Sequence, residues 1–279
     1  MSQAGTSAGA GNMGRPRLHD ARLRLRKALN WKRALPGFLI IGAQRSGTTS
    51  LHQYLAGHPD VAAPIRKEVH YFSTRYGAGP GWYRAHFPLA SPGRHTFEST
   101  PYYLFHPLAP ERAGGMLPEA RLIAVLRNPI DRAYSHYLLN VAKGHESLTF
   151  EEAIQAEPDR LAAGRQSIDE NNSAHQLFSY CARGRYADQV ERWLSHFPAQ
   201  QIHFALAEDL YTSPASVLVG VERFLGLSEW LPSEFENWSH RTAASSSQIL
   251  PETRQMLAEH FEEPNRRIAA LTGLSIDWN

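Results

Sequence analysis

From Gly42 to Thr49 the chain reads GAQRSGTT, directly after a short apolar run and at the opening of a helical pattern. The spacing is that of a phosphate-binding loop, G-x-x-x-x-G-K-S/T, with Thr48 where the lysine belongs. Glycines allow the tight turn, and backbone N–H groups at the start of the next helix point at an anion. Ser46, Gly47, Thr48, Thr49 and Ser50 are therefore candidate cofactor-binding residues, with hydroxyl donors from Thr48, Thr49 and Ser50. Arg45, inside the loop, supplies positive charge. The absent lysine is the group that grips the β and γ phosphates of a nucleoside triphosphate. Its loss argues against ATP or GTP hydrolysis and for a nucleotide with a single 5′-phosphoryl group.

A second anion site is written into Arg127-Asn128-Pro129-Ile130-Asp131-Arg132-Ala133-Tyr134-Ser135. Arg127 ends an apolar strand, where ligands bind in open α/β sheets. Ser135 lies two turns along the following helix. An arginine from a strand end and a hydroxyl from a helix together suit a second phosphate. Arg132 is expected in a surface ion pair, with Asp131 and Glu152 as partners.

These groups need a scaffold, and the pattern supplies one. Phe38 to Ile41 and Arg121 to Leu126 read as buried strands, and Gln201 to Ala207 as a third. Helices are expected over Thr48 to Ala56, from Asn128-Pro129 to about Ala142, and over Arg185–His196, Ser213–Leu225 and Pro251–Leu271. Asn at the cap with Pro at the first helical position is a strong helix start. Strands alternating with helices predict an α/β fold, a mostly parallel sheet flanked by helices on both faces.

The chain has 279 residues, which suits one α/β domain over 36–279 with a basic arm over 1–35. The arm holds eight Lys/Arg against one acid, Asp20; the remainder holds 21 basic and 26 acidic residues. A mildly acidic body must build its anion site locally. Residues 1–14, rich in Gly, Ala and Ser, are expected to be disordered. Residues 20–35 carry two readings: a solvated arm packed loosely on the domain, or a basic amphipathic helix making weak membrane-surface contact. No nucleic-acid partner is expected, and the oligomeric state is not set by the pattern. The single cysteine, Cys181, excludes an internal disulfide and a multi-cysteine metal site. A reducing, cytoplasmic compartment fits that usage, and no apolar run reaches transmembrane length.

Both anion motifs together resemble the PAPS-dependent sulfotransferase family, PAPS being 3′-phosphoadenosine 5′-phosphosulfate. The resemblance covers most of residues 37–279 and looks strongest toward the heparan sulfate branch, its 3-O-type enzymes in particular. Lys67-Glu68-Val69-His70-Tyr71-Phe72 is similar to that branch's Glu-Val-His-Phe-Phe segment. Glu98-Ser99-Thr100-Pro101-Tyr102 is similar to its Glu-Lys-Thr-Pro segment, and the tail ending in Asp277-Trp278 to its last helix. The resemblance implies a P-loop-like fold, with the first loop on the 5′-phosphosulfate and Arg127 with Ser135 on the 3′-phosphate. It places the donor-loop lysine on Arg45, the general base on Glu68 and a neighbouring histidine on His70. Three departures stand out. Ser73 replaces an acidic residue, Ser99 replaces a lysine, and the late Lys-Gly-Arg loop has no clear match, with His240-Arg241-Thr242-Ala243 lying near its place. Arg241 is placed with the cofactor-binding residues on that ground.

The expected reaction moves a sulfuryl group from PAPS to an acceptor hydroxyl, on a carbohydrate or another small molecule, releasing adenosine 3′,5′-bisphosphate. The catalytic candidates are Glu68, Arg45 and His70. Glu68 takes the acceptor proton, Arg45 stabilises charge on the bridging oxygen, and His70 orients Glu68 or binds the acceptor. Glu98 is a rival base, read first as ordering the strand end. No metal is required. His52, His58 and His86 are read as solvated or core residues. The pairs Trp82-Tyr83 and Tyr102-Tyr103 are read as core, with some available to line an acceptor cleft. Two other classes stay open: a P-loop-like nucleotide kinase, and a non-catalytic protein that binds adenosine bisphosphate or a polyanion.

Overall fold

Strands β1 (Phe38–Gly42), β2 (Phe97–Ser99), β3 (Arg121–Leu126) and β4 (Ile202–Leu206) pair in the order β2-β1-β3-β4 in the computed structural model, all parallel. The structure describes residues 23, 25–27, 32–235 and 249–278. The expected disorder of residues 1–14 and the segment around Arg241 lie outside the described residues. Because successive side chains alternate between faces, the central strands β1 and β3 feed two cores. Leu39, Ile41, Leu122, Ala124 and Leu126 pack with Tyr186, Val190, Trp193 and Ile268 on one face. Phe38, Ile40, Ile123 and Val125 pack with Leu51, Leu55, Leu218 and Val221 on the other. The sheet is covered on both faces, as the alternating strand and helix pattern predicts.

Parallel pairing puts all four carboxyl ends on one edge of the sheet. There β1 leads into the Gly42–Thr49 loop, β2 into Thr100, and β3 into Arg127. The pairing of β1 with β3 is irregular between Ile40 and Gly42, and Ala43 N–H donates to Val125 O at 2.7 Å. The phosphate loop thus starts on a backbone anchored to its neighbour strand. The helix Pro129–Ala142 begins where Asn128 Oδ1 accepts the N–H groups of Ile130 and Asp131, as its capping residue implies. It joins Phe150–Ala163 and the start of Pro251–Thr272 in a third apolar cluster.

Strand β2 and the helices Ala109–Met116 and Phe150–Ala163 were not expected from apolar pattern alone. The last carries a readable signal, a capping box in which Thr149 Oγ1 accepts the Glu152 N–H at 3.3 Å and Glu152 Oε2 accepts the Thr149 N–H at 2.9 Å. Of the basic arm, Arg33 is buried and donates to Phe87 O at 2.9 Å, and Arg26 donates to Ala85 O at 2.7 Å. Those two cations face the domain. Leu23 is buried while Leu25 is 72% exposed.

Candidate active site

The Gly42–Thr49 loop is shaped by two glycines that no other residue replaces. Gly47 has φ of 81°, and a side chain there would also come within 2.9 Å of Leu210. A Cβ on Gly42 would sit 2.5 Å from the Leu104 side chain. Gly47 caps the helix Thr48–Gly57 without a side-chain hydrogen bond, so the first N–H groups of the helix have no capping oxygen. The hydroxyls of Ser46 and Ser50 are buried without a hydrogen-bond partner among the described residues. A loop with uncapped amides and unsatisfied hydroxyls suits an anionic ligand.

Arg45 occupies the left-handed region at φ 73°, rare for a residue with a side chain. That turn sends its guanidinium to the second motif. Arg45 Nε donates to Ser135 Oγ at 3.0 Å, and Arg127 Nη1 donates to Arg45 O at 2.9 Å. The two anion motifs therefore form one continuous cationic site, and Arg45 lies in the half assigned to the 3′-phosphate. Burial, then the neighbouring Arg127, lowers the Arg45 pKa from its usual value, the signature of cations crowded where an anion belongs.

Arg132 is a correction. It is fully buried and makes no surface ion pair with Asp131 or Glu152; its Nη2 donates to Tyr180 O. Asp131 pairs instead with Arg254 at 2.9 Å, and Glu152 serves the capping box. The helix turns Arg132 inward beside Ala133, and its Nε and Nη1 find no partner among the described residues. Burial lowers its pKa first of all, with Tyr186 and Glu157 opposing.

Across the cleft, the segment after β1 and its helix brings Lys67, Glu68 and His70 to the loop. Glu68 Oε2 lies 3.1 Å from His70 Nε2, and Glu68 Oε1 lies 3.6 Å from Lys67 Nζ. Lys67 Nζ also donates to Thr49 Oγ1 at 3.2 Å. Burial pushes the Glu68 carboxyl up, but the His70 and Lys67 contacts outweigh it, and the pKa settles below the usual carboxylate value. His70 sits at φ 61°, with Nδ1 3.4 Å from Ser73 Oγ, the residue that departs from the acidic pattern.

Glu98 is built differently. It is buried, and its carboxylate accepts the hydroxyls of Tyr83 and Tyr103 at 2.7 Å and of Thr100 at 2.6 Å. Burial raises its pKa, against the pull of those three hydroxyls. It does not line the cleft, whereas Glu68 does.

The cleft has a volume of about 460 Å³ and is walled by Arg45, Gly47, Thr48, Thr49, Glu68, His70 and Arg127, together with residues that sequence reasoning passed over. Gln44, His136 and Arg183 are among those, and Lys67 lines the cleft beside Glu68. Ser46 and Ser50 lie buried beneath it, and Arg241 lies outside the described residues. Arg183 carries no motif signal in its Ser-Tyr-Cys-Ala-Arg context. It is buried under the rings of Tyr102 and Phe105, and donates to Ser179, to the His175 and Gln176 carbonyls and to Gln44 Oε1. Since a guanidinium only donates, it fixes the Gln44 carboxamide with the nitrogen left for the cleft. Of the aromatic pairs, Tyr102 lines the cleft, while Tyr83 and Tyr103 are core. His52, His58 and His86 are all buried.

Residues 35–265 match the sulfotransferase domain family. Human heparan sulfate glucosamine 3-O-sulfotransferase 3B1 is 38% identical over 193 residues, covering 69% of this chain and 46% of that protein. Human heparan sulfate glucosamine 3-O-sulfotransferase 6 is 30% identical over 268 residues, covering 88% of this chain and 75% of that protein. The chain spans about half the length of the first curated relatives it matches. Among solved structures, a sulfotransferase from Alicyclobacillus acidocaldarius aligns with a TM-score of 0.74 at 30% identity, over 87% of this chain and 98% of that one.

Proposed function

The chain belongs to the sulfotransferase family, and from that premise we propose that it transfers a sulfuryl group from PAPS to a hydroxyl of a carbohydrate or another small molecule. The observation that carries this reading is the joining of two anion motifs by Arg45, with a carboxylate across the same cleft. A nucleotide with phosphoryl groups at both the 5′ and 3′ positions needs such a pair of sites.

Glu68 acts as general base. Its pKa below the usual carboxylate value keeps it ionised and ready to accept a proton at neutral pH. The acceptor oxygen attacks sulfur as its proton passes to Glu68. The bond from sulfur to the bridging oxygen breaks, and that oxygen keeps the electron pair and leaves with adenosine 3′,5′-bisphosphate. His70 holds Glu68 in place through the 3.1 Å contact. Amides of the Gly42–Thr49 loop cradle the 5′-phosphosulfate, while Arg127, Ser135 and Arg45 hold the 3′-phosphate. Charge stabilisation and positioning supply the rate, as in phosphoryl transfer.

The test is radiolabelled transfer. PAPS carrying ³⁵S is incubated with pools of oligosaccharides, phenols, lipids and metabolites. Label moving to a hydroxyl in any pool supports the reading. A protein that binds the donor and never moves its sulfuryl group, even to water, is instead a binding protein.

A further inference from the structure

We propose that Lys67 is a further catalytic residue, the cation that receives the charge on the leaving oxygen. This rests on the sulfotransferase reading above and reassigns one role within it. The phosphate loop has no lysine of its own, since Thr48 stands at that position. The arginine inside the loop reaches toward the second motif, with Arg45 Nε donating to Ser135 Oγ at 3.0 Å. Lys67 comes from a different segment and reaches the loop. Its Nζ stands 3.2 Å from Thr49 Oγ1, on the first turn of the helix that receives the 5′-phosphosulfate. The same Nζ stands 3.6 Å from Glu68 Oε1, the base.

The leaving oxygen must lie between the phosphate cradle and the base. Lys67 Nζ borders both. In the transfer step, the acceptor O–H proton goes to Glu68 and a new bond forms from the acceptor oxygen to sulfur. The electron pair of the broken bond collects on the bridging oxygen, which becomes a non-bridging oxygen of the 5′-phosphate. An ammonium is a compact charge with three rotatable donors on a flexible stem. It can give up Glu68 and follow that oxygen as charge develops. Leaving Glu68 also makes the carboxylate more basic at the moment it takes the proton.

The experiment separates this role from mere tuning of Glu68. Lys67→Met, Lys67→Arg and Arg45→Ala are compared for kcat, by transfer to a working acceptor or by sulfate release to water. Binding of adenosine 3′,5′-bisphosphate and of 5′-AMP is measured by calorimetry. Lys67→Met is expected to lower kcat about 10²- to 10³-fold, with product affinity changed less than about tenfold; Lys67→Arg recovers part of the rate. Arg45→Ala is expected to erase the preference for the bisphosphate over 5′-AMP. The Lys67→Met defect persists at high pH, where Glu68 is fully ionised. Recovery of full rate at high pH would mean that Lys67 only keeps Glu68 charged, and would overturn the proposal. So would Lys67→Met turning over within about threefold of wild type. Loss of all transfer in the wild-type protein sinks the sulfotransferase reading itself, a different outcome. Lys67 has a side chain 17% exposed on a loop, and equal melting temperatures show that the variants fold.

Discussion

Thr100 gives its one hydroxyl proton to Glu98 Oε1 at 2.6 Å. Its oxygen then has two lone pairs left, and both are used: the N–H groups of Val69 and His70 each donate to Thr100 Oγ1 at 3.2 Å. A buried carboxylate on β2 thereby orients the hydroxyl that holds the backbone directly after Glu68. Replacing Thr100 with Val keeps the shape and leaves two N–H donors with their acceptor gone. Each such orphan costs about 1–3 kcal/mol. Thr100→Val is expected to lower the melting temperature and kcat together, and Thr100→Ser to restore both. A Thr100→Val protein with wild-type turnover would mean that the loop holds itself.

Glu98 and Glu68 are separated by what their removal affects. Glu98→Gln puts an amide among three hydroxyl donors and is expected to cost stability. Glu68→Gln faces the cleft and is expected to leave the melting temperature and donor affinity unchanged while kcat falls at least about 10²-fold. Thermal melts and turnover on the same preparations check both. Near-normal turnover of Glu68→Gln alongside a dead but stable Glu98→Gln would exchange their roles.

The pH dependence of turnover follows from the Glu68 surroundings. Burial raises its pKa, and His70 and Lys67 pull it down further than burial lifts it. The active form of Glu68 is the ionised one, so rate should be level through neutral pH and fall on the acid side. His70→Ala removes a lowering contact, and the acid limb should move to higher pH. A limb that stays in place, or moves to lower pH, removes His70 from that role.

The donor is checked by binding. Adenosine 3′,5′-bisphosphate should bind without Mg²⁺ and raise the melting temperature, by about 2.7 kcal/mol of stabilisation at 100 times its dissociation constant. Arg127→Ala should abolish the advantage over 5′-AMP, because Arg127 both faces the cleft and anchors Arg45 through its carbonyl. Equal stabilisation by 5′-AMP and the bisphosphate in the wild-type protein would remove the 3′-phosphate assignment.

What the sequence makes legible are groups contiguous in the chain. The loop Gly42–Thr49 and the cap Asn128-Pro129 are local patterns, and local patterns survive in one dimension. The contact of Arg45 with Ser135 spans 90 residues and depends on a left-handed backbone at Arg45, which no composition rule signals. Lys67 stands next to Glu68 in the chain, and only folding brings it to Thr49. Arg132 was placed on the surface by its charge, although Ile130 and Ala133 beside it on the helix mark the inward face. Strand β2 spans three residues, too short for a period, yet it carries Glu98 into the core.

The last expected behaviour is acid lability with a histidine origin. Burial foremost depresses His52 and His106 to about 4 and His175 to about 3, well below an unfolded value near 6.5. His106 is fully buried, its Nε2 3.3 Å from Asp169 Oδ1, a contact that pulls the other way and loses to burial. With folded values below unfolded ones, the unfolded chain takes up protons first as pH drops. The stability these groups contribute is therefore complete above about pH 6.5 and is lost as pH falls toward 4. Each contributes a slope of up to about 1.4 kcal/mol per pH unit across that window. Melting temperature should be flat from pH 8 to 7 and decline steeply from 6.5 to 4.5. His106→Gln, which cannot be protonated, should start lower at pH 7.5 because its fit is poorer, yet decline less steeply with acid. An unchanged slope in that variant would assign the acid loss to carboxylates such as Asp169, held down by Arg112, rather than to the buried imidazole.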